Sequence, residues 1–586
     1  MSNIVRIANC SGFYGDRLSA AREMVEGGPI DFLTGDYLAE LTMAILYNQR
    51  LSRGEKAGYV GTFLKQVKDV IKPCMDKGIK IVSNAGGLNP KSMANEIENI
   101  IDEMGVSAKV AYIDGDDLMP RMEELQAAGE AFIHLEKNTS LASSGLTPVS
   151  ANAYFGGWGI KEALDRGADI VIAPRVTDAA VVIGPAAWKF DWKRDDYDKL
   201  AGALAAGHII ECGAQATGGN YSFFQEVPSY RNVGFPLAEI EEDGSFTITK
   251  HPGTGGLVSV GTVTAQLLYE ISTPAYLNPD VIGHFDTMTV EQTGEDRVRV
   301  SGVRGSSPTS THKVCINVQG GYRNGLELLI AGLDVEEKAK IFTDALFDSL
   351  GGKDQFDDVA IKLIRSDKED PDTNEEAFAS LRITCKSKDP ALVGRLWNAK
   401  ATELGLANFP GMAGRPVAGQ GTPFIVYWPA LIDSKHLIEY VYLDGKKTEV
   451  VPTNQLGLES KYQTEPAAIP DAPTGETVRI PLGRLFGARS GDKGGCANLG
   501  IWAKTDAAYG FLHKYLTVDE LKRLLKDTAQ YKIERYELPN LKALNFYIHD
   551  ILQDGVSSST RVDGQAKSLG EYLRSKYADI PKTLVD

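Results

Sequence analysis

Six cysteines in 586 residues (Cys10, Cys74, Cys212, Cys315, Cys385 and Cys496) are too scattered for any CxxC or CxH spacing. That pattern fits isolated thiols in a reducing compartment and gives no local support to a disulfide framework or a structural zinc site. The eight histidines show no HExxH, HxH or HxxxH spacing. No metal site is therefore expected from local pattern, although ligands drawn from separate strand ends stay open. Long apolar runs are missing too. No stretch approaches a membrane span and Met1 to Cys10 has no signal-like apolar core, so the expected setting is the cytoplasm, with no membrane partner. Positive charge is in deficit, 62 basic against 78 acidic residues for a formal charge of -16. Polyanions are repelled at long range, which argues against a nucleic-acid partner. Internal repeats and low-complexity tracts are absent.

The chain carries 43% hydrophobic residues, enough for three or four partly merged compact units. Residues 1–212 alternate short apolar runs with helical periods, the signature of a parallel α/β lobe. The strand candidates are Ile4 to Ala8, Ile30 to Leu33, Lys80 to Ser83, Lys109 to Ile113 and Asp169 to Ala173. Helix candidates follow them, the clearest running through Met93, Ile97, Ile101 and Met104, with Asn89 as N-cap and Pro90 in the first turn. Residues 213–460 read as an α+β lobe, with a hairpin about Asp243-Gly244 and amphipathic helices from Glu336 and from Ala391. The proline-bearing stretch Glu465 to Gly475 marks the domain boundary. Residues 476–586 then predict four antiparallel strands with helices on one face, close to a ferredoxin-like fold.

Strand carboxyl ends and helix amino ends converge on one rim of a parallel sheet, and here those positions carry Asp36, Asn84, Gly86, Gly87, Asn89, Asp114, Arg175 and Asp178. Arg175 and Asp178 are expected on the first turn of a helix, where Arg175 binds an anion and Asp178 acts as base or cap. Asp36 has an equally simple use, stabilising the start of a helix from Tyr37. Ala488 to Gly500 packs Arg489, Ser490, Asp492, Lys493 and Asn498 into a glycine-rich segment between apolar runs. Its functional reading is a flexible loop for an anion or carbonyl, with Arg489 and Lys493 as cationic arms, Asp492 as proton carrier and Gly491, Gly494 and Gly495 turning the backbone. Gly253, Gly255 and Gly256 offer a second cradle of backbone amides. Neither segment matches the dinucleotide or phosphate-loop pattern, so nucleotide hydrolysis is not expected.

The segments Asn84-Ala85-Gly86-Gly87, Ala173 to Asp178, Gly253 to Gly256 with Thr262 to Glu270, and Arg489 to Gly494 together resemble the AtuA-like family of acyclic terpene utilisation, over nearly the whole chain. The resemblance implies a large amino-terminal domain joined to a ferredoxin-like carboxyl-terminal one. It also implies a place in citronellol and geraniol catabolism, whose intermediates are acyl-coenzyme A thioesters. It carries no catalytic residues with it. The expectation is a hydratase or lyase acting on a branched or unsaturated acyl thioester, with coenzyme A as part of the substrate, no tightly bound cofactor and a homo-oligomeric state. In this reading Asp36, Asp178, Arg489, Asp492 and Lys493 are catalytic, while Arg175, Asn84, Gly86, Gly87, Asn89, Gly253, Gly255, Gly256, Ser490 and Asn498 bind substrate. Two competitors are a non-catalytic subunit and a hydrolase with Ser490 or Cys496 as nucleophile.

Overall fold

The computed structural model describes residues 3–414, 419–464 and 467–585. Ile4–Asn9, Phe32–Gly35, Lys80–Ser83, Ile170–Ile172 and Val110–Asp114 lie side by side in that order and all pair in parallel. Ile170, Val171 and Ile172 are fully buried, as a central strand covered on both faces requires. Antiparallel strands extend this sheet to eleven. Pro236–Glu241 pairs with Ile4–Asn9, and Glu439–Leu443 pairs with Val110–Asp114. The predicted hairpin about Asp243-Gly244 joins Pro236–Glu241 to Phe246–Lys250.

Helix Pro90–Met104 starts as expected, its Asn89 side chain accepting from the Ser92 amide and Pro90 at the first position. Its stripe of Met93, Ile97 and Ile101 is buried with Phe63, Val67 and Ile71 of helix Gly61–Lys77. The α/β class with a ferredoxin-like end holds. In the carboxyl-terminal domain Phe486–Lys493, Cys496–Ala503, Ala543–Ile548 and Ile533–Leu538 form an antiparallel sheet in that spatial order. Helices Asp506–Tyr515, Val518–Leu524 and Leu569–Arg574 contribute Leu512, Leu521 and Leu573 to its core.

The chain's compact units differ from the boundaries read in sequence. One unit comprises 1–317, 427–556 and 565–586; the other comprises 318–426 with 557–564. The region 213–460 is therefore no single lobe, because the strands of 236–301 and 439–450 join the amino-terminal sheet through backbone pairing. In the second unit, the far part of strand Thr311–Ala331 pairs with Phe378–Ser387, which pairs with Asp358–Ile364. Phe342, Leu346 and Trp397, from the predicted helices Val335–Ser349 and Trp397–Glu403, pack against Leu328 and Leu381. Of the proline-bearing stretch, Glu465 and Pro466 lie outside the described residues.

The carboxyl-terminal domain is tied to the loops at Ser222 and at Leu268 to Ser272 by polar side chains that saturate backbone groups. Ser222 Oγ donates to Ala488 O at 2.6 Å and accepts from Ala488 N at 3.0 Å. Asn498 Oδ1 accepts from Glu270 N at 2.9 Å while its Nδ2 reaches Leu268 O at 2.5 Å. Asn545 Nδ2 donates to Ile271 O and Ser272 O, at 3.1 and 2.9 Å. Because buried amides left unpaired are costly, these bonds fix one register between the two domains.

Candidate functional site

Asp36 follows strand Phe32–Gly35, and it does not open a helix: the next one is Glu40–Arg53. Its Oδ1 accepts from Leu38 N at 3.2 Å and from Asn84 Nδ2 at 2.6 Å, and Asn84 Oδ1 also accepts from Tyr37 N. Arg175 and Asp178 sit in the loop ahead of helix Ala180–Lys189, not on its first turn as the spacing suggested. Arg175 is 2% exposed. Its guanidinium lies 4.1 Å from the centre of the Tyr154 ring, and its NH1 donates to Leu38 O, Val176 O and Asp178 Oδ1. A guanidinium so enclosed positions Asp178 and cannot grip the phosphates of an external carrier. Asp116 accepts from Arg175 N and from Asn152 Nδ2, supporting that loop from behind.

Two carboxylates that the sequence reading passed over complete the cluster. Glu211 ends helix Tyr197–Ile210, whose last carbonyls accept from Asn9 Nδ2 at 2.6 and 3.0 Å. Since Asn9 closes the first parallel strand, this bond brings Glu211 to the same rim. Oxygens of Asp36, Asp178 and Glu211 all lie within 4.8 Å of one another. Glu270 follows helix Val260–Leu267 with a φ of +55°, a left-handed conformation costing a non-glycine residue roughly 1–2 kcal/mol. The Asn498 bond to its amide holds it there.

The charged segment of the carboxyl-terminal domain reaches this rim as part of strand Phe486–Lys493, not as a flexible loop. Only Gly494 of its three singled-out glycines has positive φ, +65°, in the tight turn to Cys496–Ala503. Gly491 gives close approach instead: a Cβ there would lie 2.3 Å from Tyr269 Cε2. Arg489 is buried, stacks 4.3 Å from the centre of the Tyr269 ring and donates to Gln215. Lys493 is half-buried, with Nζ 5.5 Å from the centre of the Tyr276 ring and no hydrogen bond or ion pair among the described residues.

The electrostatics match this crowding. Burial, with Asp178 next, pushes the Asp36 carboxyl well above its ordinary value. Burial and the facing Asp178, Glu270 and Asp36 do the same to Glu211, and burial outweighs Lys493 and Lys567 at Glu270. Asp492 is pushed up to about 7 by burial and by Glu270. Burial and the neighbouring Lys313 lower Lys493. His208, fully buried beside Glu211, is lowered to about 3 by burial and by Lys493. Glu40 is the exception: burial alone would raise it, but Lys313 and Arg175 hold it below the carboxylate range. Its Oε1 accepts from Tyr154 Oη at 2.8 Å and Lys313 Nζ at 3.2 Å. Carboxylates raised beside an amine lowered is the arrangement in which protons change hands near neutral pH.

Several other candidates have structural uses. Asn89 caps its helix and donates to Glu55 O and Ala57 O. Gly87 turns with φ +53°, and Gly86 packs where a Cβ would lie 2.7 Å from Ala173 O. The amides of Gly255, Gly256 and Leu257 are spent on Asn232 O, Ser229 O and Thr217 O, so the Gly253–Gly256 segment has no row of free donors for a phosphate. Both nitrogen and oxygen of the Asn498 side chain are engaged by protein. Ser490 is 1% exposed, its Oγ accepting from Gly570 N, and burial raises the Cys496 thiol to about 11. Neither resembles an activated nucleophile, which weakens the hydrolase reading. A cavity of about 610 Å³ lies away from this rim, lined in part by Pro473, Phe511, Tyr515, Arg523 and Pro581.

The fold and site thus define an α/β protein whose ferredoxin-like domain contributes an amine and a carboxylate to an acidic sheet rim. The model of the acyclic terpene utilisation family protein AtuA matches residues 5–443, and that of the AtuA ferredoxin-like domain matches residues 480–578. The chain belongs to the AtuA family. No curated protein matches it. Among the described residues no helix is long and apolar enough to cross a membrane.

Proposed function

We propose that this chain is an enzyme of acyl-coenzyme A catabolism, of hydratase or lyase type, that moves a proton at the carbon beside a thioester carbonyl. The substrate is a branched or unsaturated acyl thioester, as in the acyclic terpene utilisation for which the family is named. The observation that carries this reading is the Lys493 amine, without a hydrogen bond or ion pair among the described residues, set among Glu270, Glu40 and Asp178 from three separate parts of the chain, with Asp492 also facing Glu270. Lys493 stabilises negative charge developing on the carbonyl oxygen, a role for which a cation inside a water-poor site is effective. Asp492, raised to about 7, holds and releases the proton, and Glu270 faces it as the neighbouring carboxylate. Asn498 holds Glu270, and Arg175 and Asn84 orient Asp178 and Asp36 beside it. Coenzyme A enters and leaves with the substrate. The test is mass spectrometry of purified protein for retained acyl thioesters, followed by incubation with the best binder. Retention and conversion of one branched or unsaturated thioester is the expected result; a protein that neither holds nor alters any thioester sinks the proposal.

A further inference from the structure

Acidic side chains outnumber basic ones at the rim. Asp36, Asp178, Glu211, Glu270 and Asp492 face Lys493 and Lys567, while the guanidinium of Arg175 is committed to Asp178 and backbone carbonyls. Within this group Asp36, Asp178 and Glu211 are set apart by geometry. One oxygen of Asp36 is held by Asn84 and Leu38 N, and one oxygen of Asp178 by Arg175, which orients each carboxylate and leaves Oδ2 of both without a hydrogen bond among the described residues. Outer donors that fix one oxygen and leave the other available are how proteins prepare metal ligands.

A second, independent observation comes from the inner wall. Glu211 is 5% exposed and its Oε2 is sealed from solvent with no donor among the described residues. Its Oε1 faces Nδ1 of the buried His208 at 3.5 Å. A buried carboxylate oxygen without a donor is expensive unless a proton or a cation neutralises the group, and a cation does so while keeping its neighbours charged. Oxygens on one ion lie at most about 5 Å apart for Ca²⁺, bound at about 2.3–2.6 Å, and about 4.2 Å for Mg²⁺, bound at about 2.0–2.1 Å, so a trio whose oxygens all lie within 4.8 Å of one another closes on a hard cation with little movement.

We infer that Asp36, Asp178 and Glu211 bind one hard divalent cation. An all-oxygen carboxylate set selects such ions over thiolate- or imidazole-preferring metals. Bound there, the ion would supply Lewis-acid stabilisation to a carbonyl oxygen at the rim that Lys493 borders. The inference deepens the proposed function by naming how the same site handles developing charge, but it is tested without substrate.

Full-length protein, stripped with chelator and desalted, is titrated with Mn²⁺ while free ion is followed by electron paramagnetic resonance and heat by calorimetry. One saturable Mn²⁺ per chain, displaced by Mg²⁺, is expected. Glu211→Gln and Asp36→Asn should each weaken it at least about tenfold. Asp178→Asn, at a part-exposed side chain, supplies a third variant should a buried one fail to fold, as judged by circular dichroism. Glu439→Gln, a buried acid elsewhere in the same unit, should bind as wild type does. No saturable binding, or binding unchanged in the folded variants, overturns the inference. A protein that binds no cation yet converts a thioester refutes this inference alone.

Discussion

Adding one methyl group at Gly491 tests whether the carboxyl-terminal strand is seated as described. Its Cβ would lie 2.3 Å from Cε2, 3.1 Å from Cδ2 and 3.2 Å from Cζ of Tyr269, where carbon atoms ordinarily rest at about 3.5–4.0 Å. Tyr269 is 2% exposed and stacked beneath Arg489, so it has no free direction of retreat. Overpacking of this kind costs about 1–3 kcal/mol, offset by about 0.5–1 kcal/mol because alanine loses less chain entropy than glycine in a strand. The net expectation for Gly491→Ala is a loss of about 1–2 kcal/mol concentrated where the strand meets Tyr269, close to a tenfold change in the local opening equilibrium. Hydrogen exchange read by mass spectrometry on peptides covering 486–503 and 260–272 should show that loss in both at once. Gly61→Ala is the control, since its Cβ meets nothing within 4 Å in the first turn of its helix. Equal protection in Gly491→Ala and Gly61→Ala refutes the seating of the strand against Tyr269.

Other predictions concern charge. Burial, with Asp280 next, raises the Glu439 carboxyl from 4.5 to about 8, so the folded chain holds an extra proton between those values and loses stability as pH rises through that window. Glu439→Gln keeps an acceptor for Gly159 N, which now bonds Oε2 at 3.1 Å. It should flatten the pH dependence of stability by about 1.4 kcal/mol per pH unit across the window and exceed wild type above it, read by urea midpoints at several pH values. Wild-type slope retained in the variant contradicts the assignment. Asp492→Asn should slow proton transfer on a converted thioester by about 10²–10⁴-fold while leaving its binding within a few-fold, measured as kcat and KM. Arg489→Met should cost stability, because the buried Arg489 joins Gln215 and Tyr269, and should shift KM little.

Much of the fold was legible because it rests on periodicity. The five parallel strands read as apolar runs, and the four antiparallel strands expected beyond residue 476 are present. Asn89 announced its helix through cap chemistry that reaches only three residues along the chain, to Ser92. Part of the acidic rim was visible for the same reason, since Asp36 directly follows one parallel strand and Asp178 lies in the loop after another. Glu211 and Glu270 were not, because each follows a helix and reaches the rim through a long-range bond, from Asn9 and from Asn498. The one local sign for Glu270 is its left-handed backbone, which a glutamate does not advertise in sequence. Composition likewise suggested a flexible glycine loop at 488–500, whereas 486–493 pairs with 496–503, which in turn pairs with 543–548. Spacing alone also missed that Arg175 would be enclosed by Tyr154, a residue some twenty positions away.

The central claim, that Lys493 and Asp492 meet the acidic rim to move a proton beside a thioester carbonyl, is tested most directly by solvent isotope exchange. Wild-type protein incubated in D₂O with the acyl thioester it retains should place deuterium on the carbon next to the carbonyl, detected by mass spectrometry, and Lys493→Met should lose that exchange. A retained thioester that gains no deuterium with the wild type, or gains it equally with Lys493→Met, contradicts the account.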